Sequence, residues 1–124
     1  PRGGEDENIK FEKHEQIKLG KAEIIKEGKD LCIIAIGKKV ATAMEVAKQY
    51  EEKGLEVEVI NSRFLKPIDK ETIKKSIDKN KNVITIEDGT KINGLGTAIE
   101  EIIIQEGLEG IKLEVQACPD EFIN

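Results

Sequence analysis

A chain of 124 residues with 38% hydrophobic side chains reads as one domain, long enough to bury a core built mainly from aliphatic residues. Aromatics make up 3%, tryptophan is absent and the net charge is −5, so the chain lacks both the stacking platforms and the basic face of a nucleic-acid binder. No apolar stretch approaches the roughly 20 residues of a membrane span, and no signal peptide is visible; two cysteines and one histidine exclude a disulfide framework and most zinc sites, which makes a reducing cytoplasm the expected compartment.

The chain begins at Pro1 rather than methionine, in PRGGEDEN, and reads as a piece of a larger protein. Residues 1–18 are polar and rich in glycine and acid, and are expected to form a mobile lead-in to a domain over 19–124. AEIIKEG (22–28) reads as a short strand closed by a turn at Gly28-Lys29-Asp30. LCIIAI (31–36) is a continuous apolar run followed by Gly37, as expected of a strand buried on both faces. Val40, Ala43, Met44, Ala47 and Tyr50 recur at helical spacing, which predicts a helix over 39–53 with those residues inward and Gly54 at its end. LEVEVI (55–60) is the next strand, and its VEV alternation predicts one more exposed face. Pro67 blocks a helix, Asp69 can cap one, and KETIKKSIDKN (70–80) carries Ile73 and Ile77 on one stripe. NVITI (82–86) reads as a buried strand, 95–106 as a helix with Leu95, Ala98, Ile99 and Ile102 inward, and KLEVQA (112–117) as the last strand.

This order is an α/β pattern with a mostly parallel sheet. The link between the first two strands is too short for a parallel crossover, so those two are expected to run in opposite directions. No internal repeat or linker interrupts the chain.

Gly94 and Gly96 stand between a strand and a helix, where nucleotide-binding proteins place a phosphate. The dinucleotide fingerprint fails here, because Ile99 occupies its third position, and nothing supplies a Walker ending. The loop also follows the fourth strand rather than the first, and Glu87 and Asp88 at the strand end repel a phosphate. The glycines therefore read as letting the helix start pack close to the sheet.

Ligands of open α/β sheets bind at the carboxyl edge, which here gathers Lys38, Lys39, Arg63, Lys66, Glu87 and Asp88. Two readings stand: a polar crevice for a small ligand or partner domain, or a structural ion pair of Arg63 with Glu87 or Asp88. The second is preferred. His14 lies in the polar lead-in without ligand neighbours, Cys32 reads as core, and Cys118 precedes Pro119 with no base beside it. With no catalytic residue, cofactor fingerprint or metal site in view, the chain alone does not read as a complete enzyme.

Four stretches, PRG (1–3), INSRFLKPID (60–69), TIEDGTKINGLGTAI (85–99) and CPDEFI (118–123), follow in one order. Together they resemble the C-terminal domain of the 1-deoxy-D-xylulose-5-phosphate synthase family, thiamine-diphosphate enzymes of the transketolase superfamily, over nearly the whole chain. The RFLKPID stretch is shared in looser form with the β subunits of 2-oxo-acid dehydrogenases, whose C-terminal domain is one alternative. A freestanding α/β module binding a small regulatory ligand is another. The resemblance implies a three-layer α/β/α sandwich with a five-stranded, mostly parallel sheet whose first strand is antiparallel. It implies a noncatalytic domain of a homodimeric enzyme that condenses pyruvate with glyceraldehyde 3-phosphate, releasing carbon dioxide, for isoprenoid, thiamine and pyridoxal synthesis. The family's thiamine diphosphate and magnesium are held by the two preceding domains, which leaves this domain subunit contacts and one substrate residue. That residue is the arginine of the PRG stretch, which maps onto Arg2 and would meet the substrate phosphate.

Overall fold

The run Leu31–Ala35 has no polar residue to turn toward water, and it forms the strand at the centre of the sheet, buried at every position. The computed structural model describes residues 18–89 and 94–118. Along these the elements are β1 (Glu23–Lys26), β2 (Leu31–Ala35), α1 (Lys39–Glu51), β3 (Val57–Asn61), α2 (Lys70–Asn80), β4 (Asn82–Asp88), α3 (Leu95–Gln105) and β5 (Lys112–Cys118).

The strands lie in the order β1-β3-β2-β4-β5. β1 is antiparallel to β3, and the other neighbours are parallel. The short link from β1 to β2 does reverse direction, yet the two strands are not neighbours, because β3 lies between them. Gly28 makes this passage possible: a Cβ there would sit 2.4 Å from the carbonyl carbon of Val57. Beside it the Asp30 amide donates to the Glu56 carbonyl at 2.9 Å, and the Asp30 carboxylate accepts the Glu56 amide at 2.7 Å.

One face of the sheet packs Leu31, Ile33, Val57, Val59 and Ile86 against Ala43 and Ala47 of α1. The other packs Cys32, Ile34, Ile60 and Val83 against Ile73 and Ile77 of α2 and Leu95, Ile99 and Ile102 of α3. The result is the three-layer α/β/α sandwich. Val40 and Tyr50 border the first core, whereas Met44, expected inward, is 38% exposed. Small alanines make the close contact of α1, and Met44 sits on the flank beside Lys26 of the short β1. Ala98 is half-buried, and Gly96 takes a fully buried place beside Leu95. Gly54 follows α1 with a φ of +94°, a conformation that favours glycine. The largest departure is β3: the face expected to be more exposed is closed, and Glu58 is only 1% exposed.

Candidate functional site at the carboxyl edge

The loop from β4 to α3 answers the question its glycines pose. Glu87, near the end of β4, turns its carboxylate onto the first turn of α3. Its Oε1 accepts the Leu95 amide at 2.6 Å and its Oε2 the Gly96 amide at 3.1 Å. The N-terminus of α3 therefore carries an anion, and that anion is the protein's own carboxylate. Both glycines are needed for the approach. A Cβ on Gly94 would lie 1.4 Å from the Glu87 Oε1, and one on Gly96 would lie 2.6 Å from the Val115 Cγ1.

Arg63 does not pair with Glu87 or Asp88. Its guanidinium donates to the Glu23 carboxylate of β1 at 2.9 Å. The strand order is the reason: β3 is flanked by β1 and β2, so β4 lies one strand too far away. Arg63 also adopts a φ of +63°, with its amide bonded to the Asn61 side chain at 3.0 Å. Of the six carboxyl-edge residues, Arg63 thus turns toward β1 and Glu87 toward the start of α3. A groove of about 480 Å³ between the 65–70 segment and α3 takes Lys66 and Gly94 among its lining, but not Lys38, Arg63, Glu87 or Asp88.

Asp69 caps α2 by accepting the Thr72 amide at 3.2 Å, as its position predicts. It also accepts the Ala22 amide at 2.8 Å, and Lys21 approaches to 3.6 Å. Burial works to raise the pKa of this carboxyl, but the amides of Ala22 and Thr72, the Thr72 hydroxyl and the Lys21 ammonium outweigh it and hold it below the ordinary aspartate range.

A further polar cluster, which the sequence reading missed, lies beneath α2. The Glu58 carboxylate accepts the Ser76 hydroxyl at 2.5 Å, the Lys79 ammonium at 2.7 Å and the Gly28 amide at 3.0 Å. Burial pushes its pKa upward, yet these three donors prevail and keep it below the usual value of 4.5. Lys79 is raised in turn, chiefly by its bond to Glu58. The Cys32 sulfur lies 2.9 Å from the Ser76 oxygen, and burial pushes its thiol up to about 12, which makes it an inert core residue. Ser76 was the available signal: a hydroxyl beside Ile73 and Ile77 on the apolar stripe of a helix needs a polar partner on the sheet.

Arg2 and His14 lie outside the described residues, as does the side chain of Cys118. Among the described residues no group of three or more histidine, cysteine, aspartate or glutamate side chains is placed to hold a metal, and no helix is long and apolar enough to cross a membrane.

The transketolase C-terminal domain family matches residues 20–122. The chain is 43% identical over 107 residues to the 1-deoxy-D-xylulose-5-phosphate synthase of Halothermothrix orenii, a match covering 86% of this chain and 17% of that protein. It is 37% identical over 126 residues to the synthase of Desulfotalea psychrophila, covering 99% of this chain and 20% of that one. The chain thus spans about a fifth of the length of these relatives. Among solved structures, a split-gene transketolase, described as an inactive β4 tetramer, superposes with a TM-score of 0.74 at 34% identity, over 87% of this chain and 35% of that one. Sequence, fold and extent agree, and the chain belongs to the transketolase C-terminal domain family.

Proposed function

We propose that this chain is the noncatalytic C-terminal domain of a 1-deoxy-D-xylulose-5-phosphate synthase, a cytoplasmic homodimer that joins pyruvate to glyceraldehyde 3-phosphate with loss of carbon dioxide. The observation that carries the reading is the match of nearly the whole chain to about a fifth of each curated synthase. The chemistry of the described residues agrees with a supporting role. The helix starts of α2 and α3 are filled by Asp69 and Glu87, while that of α1 carries no side-chain cap. We assign thiamine diphosphate and magnesium to the preceding domains of the parent; among the described residues no group of three or more histidine, cysteine, aspartate or glutamate side chains is placed to hold a metal. The domain's own contribution is subunit contact and Arg2, whose guanidinium suits the phosphate of glyceraldehyde 3-phosphate in bidentate geometry.

A chimera tests the assignment. Joined behind the preceding domains of the Halothermothrix orenii enzyme in place of its C-terminal part, the chain should restore formation of 1-deoxy-D-xylulose 5-phosphate. A folded, assembled chimera without activity would overturn the reading.

A further inference from the structure

Arg63 stands in a backbone conformation that glycine fills at less cost. The Phe64 amide donates to the Ser62 carbonyl at 2.6 Å, two residues back, with Arg63 between them at a φ of +63°. That is a γ-turn of the rare, strained kind. Three further bonds hold it in place. The Ser62 amide donates to the Ala35 carbonyl at 2.9 Å, the Ser62 hydroxyl to the Phe64 carbonyl at 3.0 Å, and the Arg63 amide to the Asn61 side chain at 3.0 Å. A left-handed backbone weighs against a residue with a side chain by roughly five- to thirtyfold in the folding equilibrium. The partly exposed pair with Glu23 offsets about fivefold at most. The fold alone therefore does not account for an arginine here, and a strained residue at the ligand-facing edge of a sheet points to binding. Its fork is also only partly engaged: Nη2 donates to the Glu23 carboxylate at 2.9 Å, and among the described residues Nε and Nη1 make no bond.

We propose that Arg63 is a docking residue of the intact parent, whose remaining N–H groups take a carboxylate on the domains that precede this one. The inference rests on the reading of the chain as the C-terminal part of a larger enzyme. The place of entry selects the partner. The amide of Ala22, next to Glu23, donates to Asp69 at 2.8 Å, and Lys21 stands 3.6 Å from the same carboxylate. The chain that leads into β1 is thereby fastened beside the Glu23–Arg63 pair, at the same edge of the sheet. A free phosphate dianion is the poorer occupant, because Glu23 meets its two charges with a like one. A protein carboxylate carries a single charge and fits the planar fork. On a tethered domain it also needs little intrinsic affinity, since the covalent link holds it at high effective concentration.

The test is made on the intact parent enzyme. Arg63→Lys sets an amine where the guanidinium stood, and a water-soluble carbodiimide joins that amine to any carboxylate in contact. Mass spectrometry should find two joined peptides, one containing Glu23 and one containing an acidic residue of the preceding domains. Joining to Glu23 alone, or only within residues 1–124, would overturn the proposal. In Arg63→Gly, trypsin cleavage between the preceding domains and β1 should quicken at least tenfold. The 124-residue chain by itself should meanwhile melt no lower with that change than without it. Unchanged cleavage, or a lower midpoint in the 124-residue chain, would count equally against the docking role. Neither readout uses turnover, so formation of 1-deoxy-D-xylulose 5-phosphate by the unaltered enzyme tests the synthase reading separately.

Discussion

Replacing Glu87 by alanine removes the anion from the start of α3 and takes away the carboxylate that the amides of Leu95 and Gly96 share. The size of the effect can be worked from the bonds lost. Removing a helix-capping acceptor costs about 0.5–2 kcal/mol, and a hydrogen bond to a charged group contributes about 1.5–3 kcal/mol. Glu87 is half-buried and serves two amides, one of them at 2.6 Å, so a loss of about 2 kcal/mol is expected. For a chain of this size each kcal/mol moves the thermal midpoint by about 4 °C, which makes the expected fall about 8 °C. Circular dichroism melts of the chain read it directly. Glu87→Gln keeps an acceptor without the charge and should fall between the two.

The same variant carries a second, more discriminating readout. With the carboxylate gone, two amides at a helix start flanked by glycines become an open anion site. Sulfate should then raise the midpoint of Glu87→Ala more than that of the unaltered chain, at matched ionic strength with chloride. A fall of less than about 0.5 kcal/mol, below the range for a lost cap, together with no difference between the anions, would refute the account of Glu87 as the internal ligand of α3.

Glu58 is held below its ordinary value, so it stabilises the fold above about pH 4.5 and that contribution is lost as pH falls through its folded value. Glu58→Gln should therefore be least stable relative to the unaltered chain at neutral pH, with the gap in urea midpoint closing in acid; a constant gap would count against the assignment. Arg63→Ala removes a partly exposed ion pair of about 1 kcal/mol or less, whereas Arg63→Gly also relieves a left-handed backbone that costs a side-chain-bearing residue about 1–2 kcal/mol. Melting should rank the glycine variant above the alanine one. In the intact enzyme Arg2→Ala should raise the KM for glyceraldehyde 3-phosphate about ten- to a hundredfold, the equivalent of about 1.5–3 kcal/mol, and leave that for pyruvate nearly unchanged; equal damage to both would speak against a phosphate contact.

Elements fixed by local chemistry were legible from the residues. LCIIAI could only be a buried strand, and Pro67 followed by Asp69 set the start of α2 to the residue. What failed depended on neighbours in space. Whether the polar side of β3 meets water turns on α2 lying across it, and the alternation of Val57, Glu58 and Val59 has the same period whether Glu58 faces solvent or a buried serine and the ammonium of a surface lysine. Likewise Arg63 stands near Glu23 or Glu87 according to strand order, and order is a property of the crossovers rather than of any local pattern. The Gly94-Gly96 pair was legible as a close-packing device, but its partner Glu87 was read only as a repulsive charge, when the same charge is what the helix start binds.

Three carboxylates join parts of the chain that are distant in sequence: Glu87 holds α3 to β4, Asp69 holds Ala22 to α2, and Glu58 holds Gly28 and Lys79 to β3. Each takes a donor set that could otherwise have met a ligand anion, and a second negative charge about 4 Å from any of them meets about 1 kcal/mol of repulsion even at the dielectric of water. Because β1 is antiparallel, Glu23 lies opposite Asn61 at the carboxyl end of β3, and Lys21 and Ala22 reach Asp69 at the start of α2. The chain thus joins the domain at the carboxyl edge, beside the loops that follow β2, β3 and β4. A parallel first strand would bring it in at the opposite edge, so the direction of four residues decides at which edge of the sheet Lys21 and Ala22 lie.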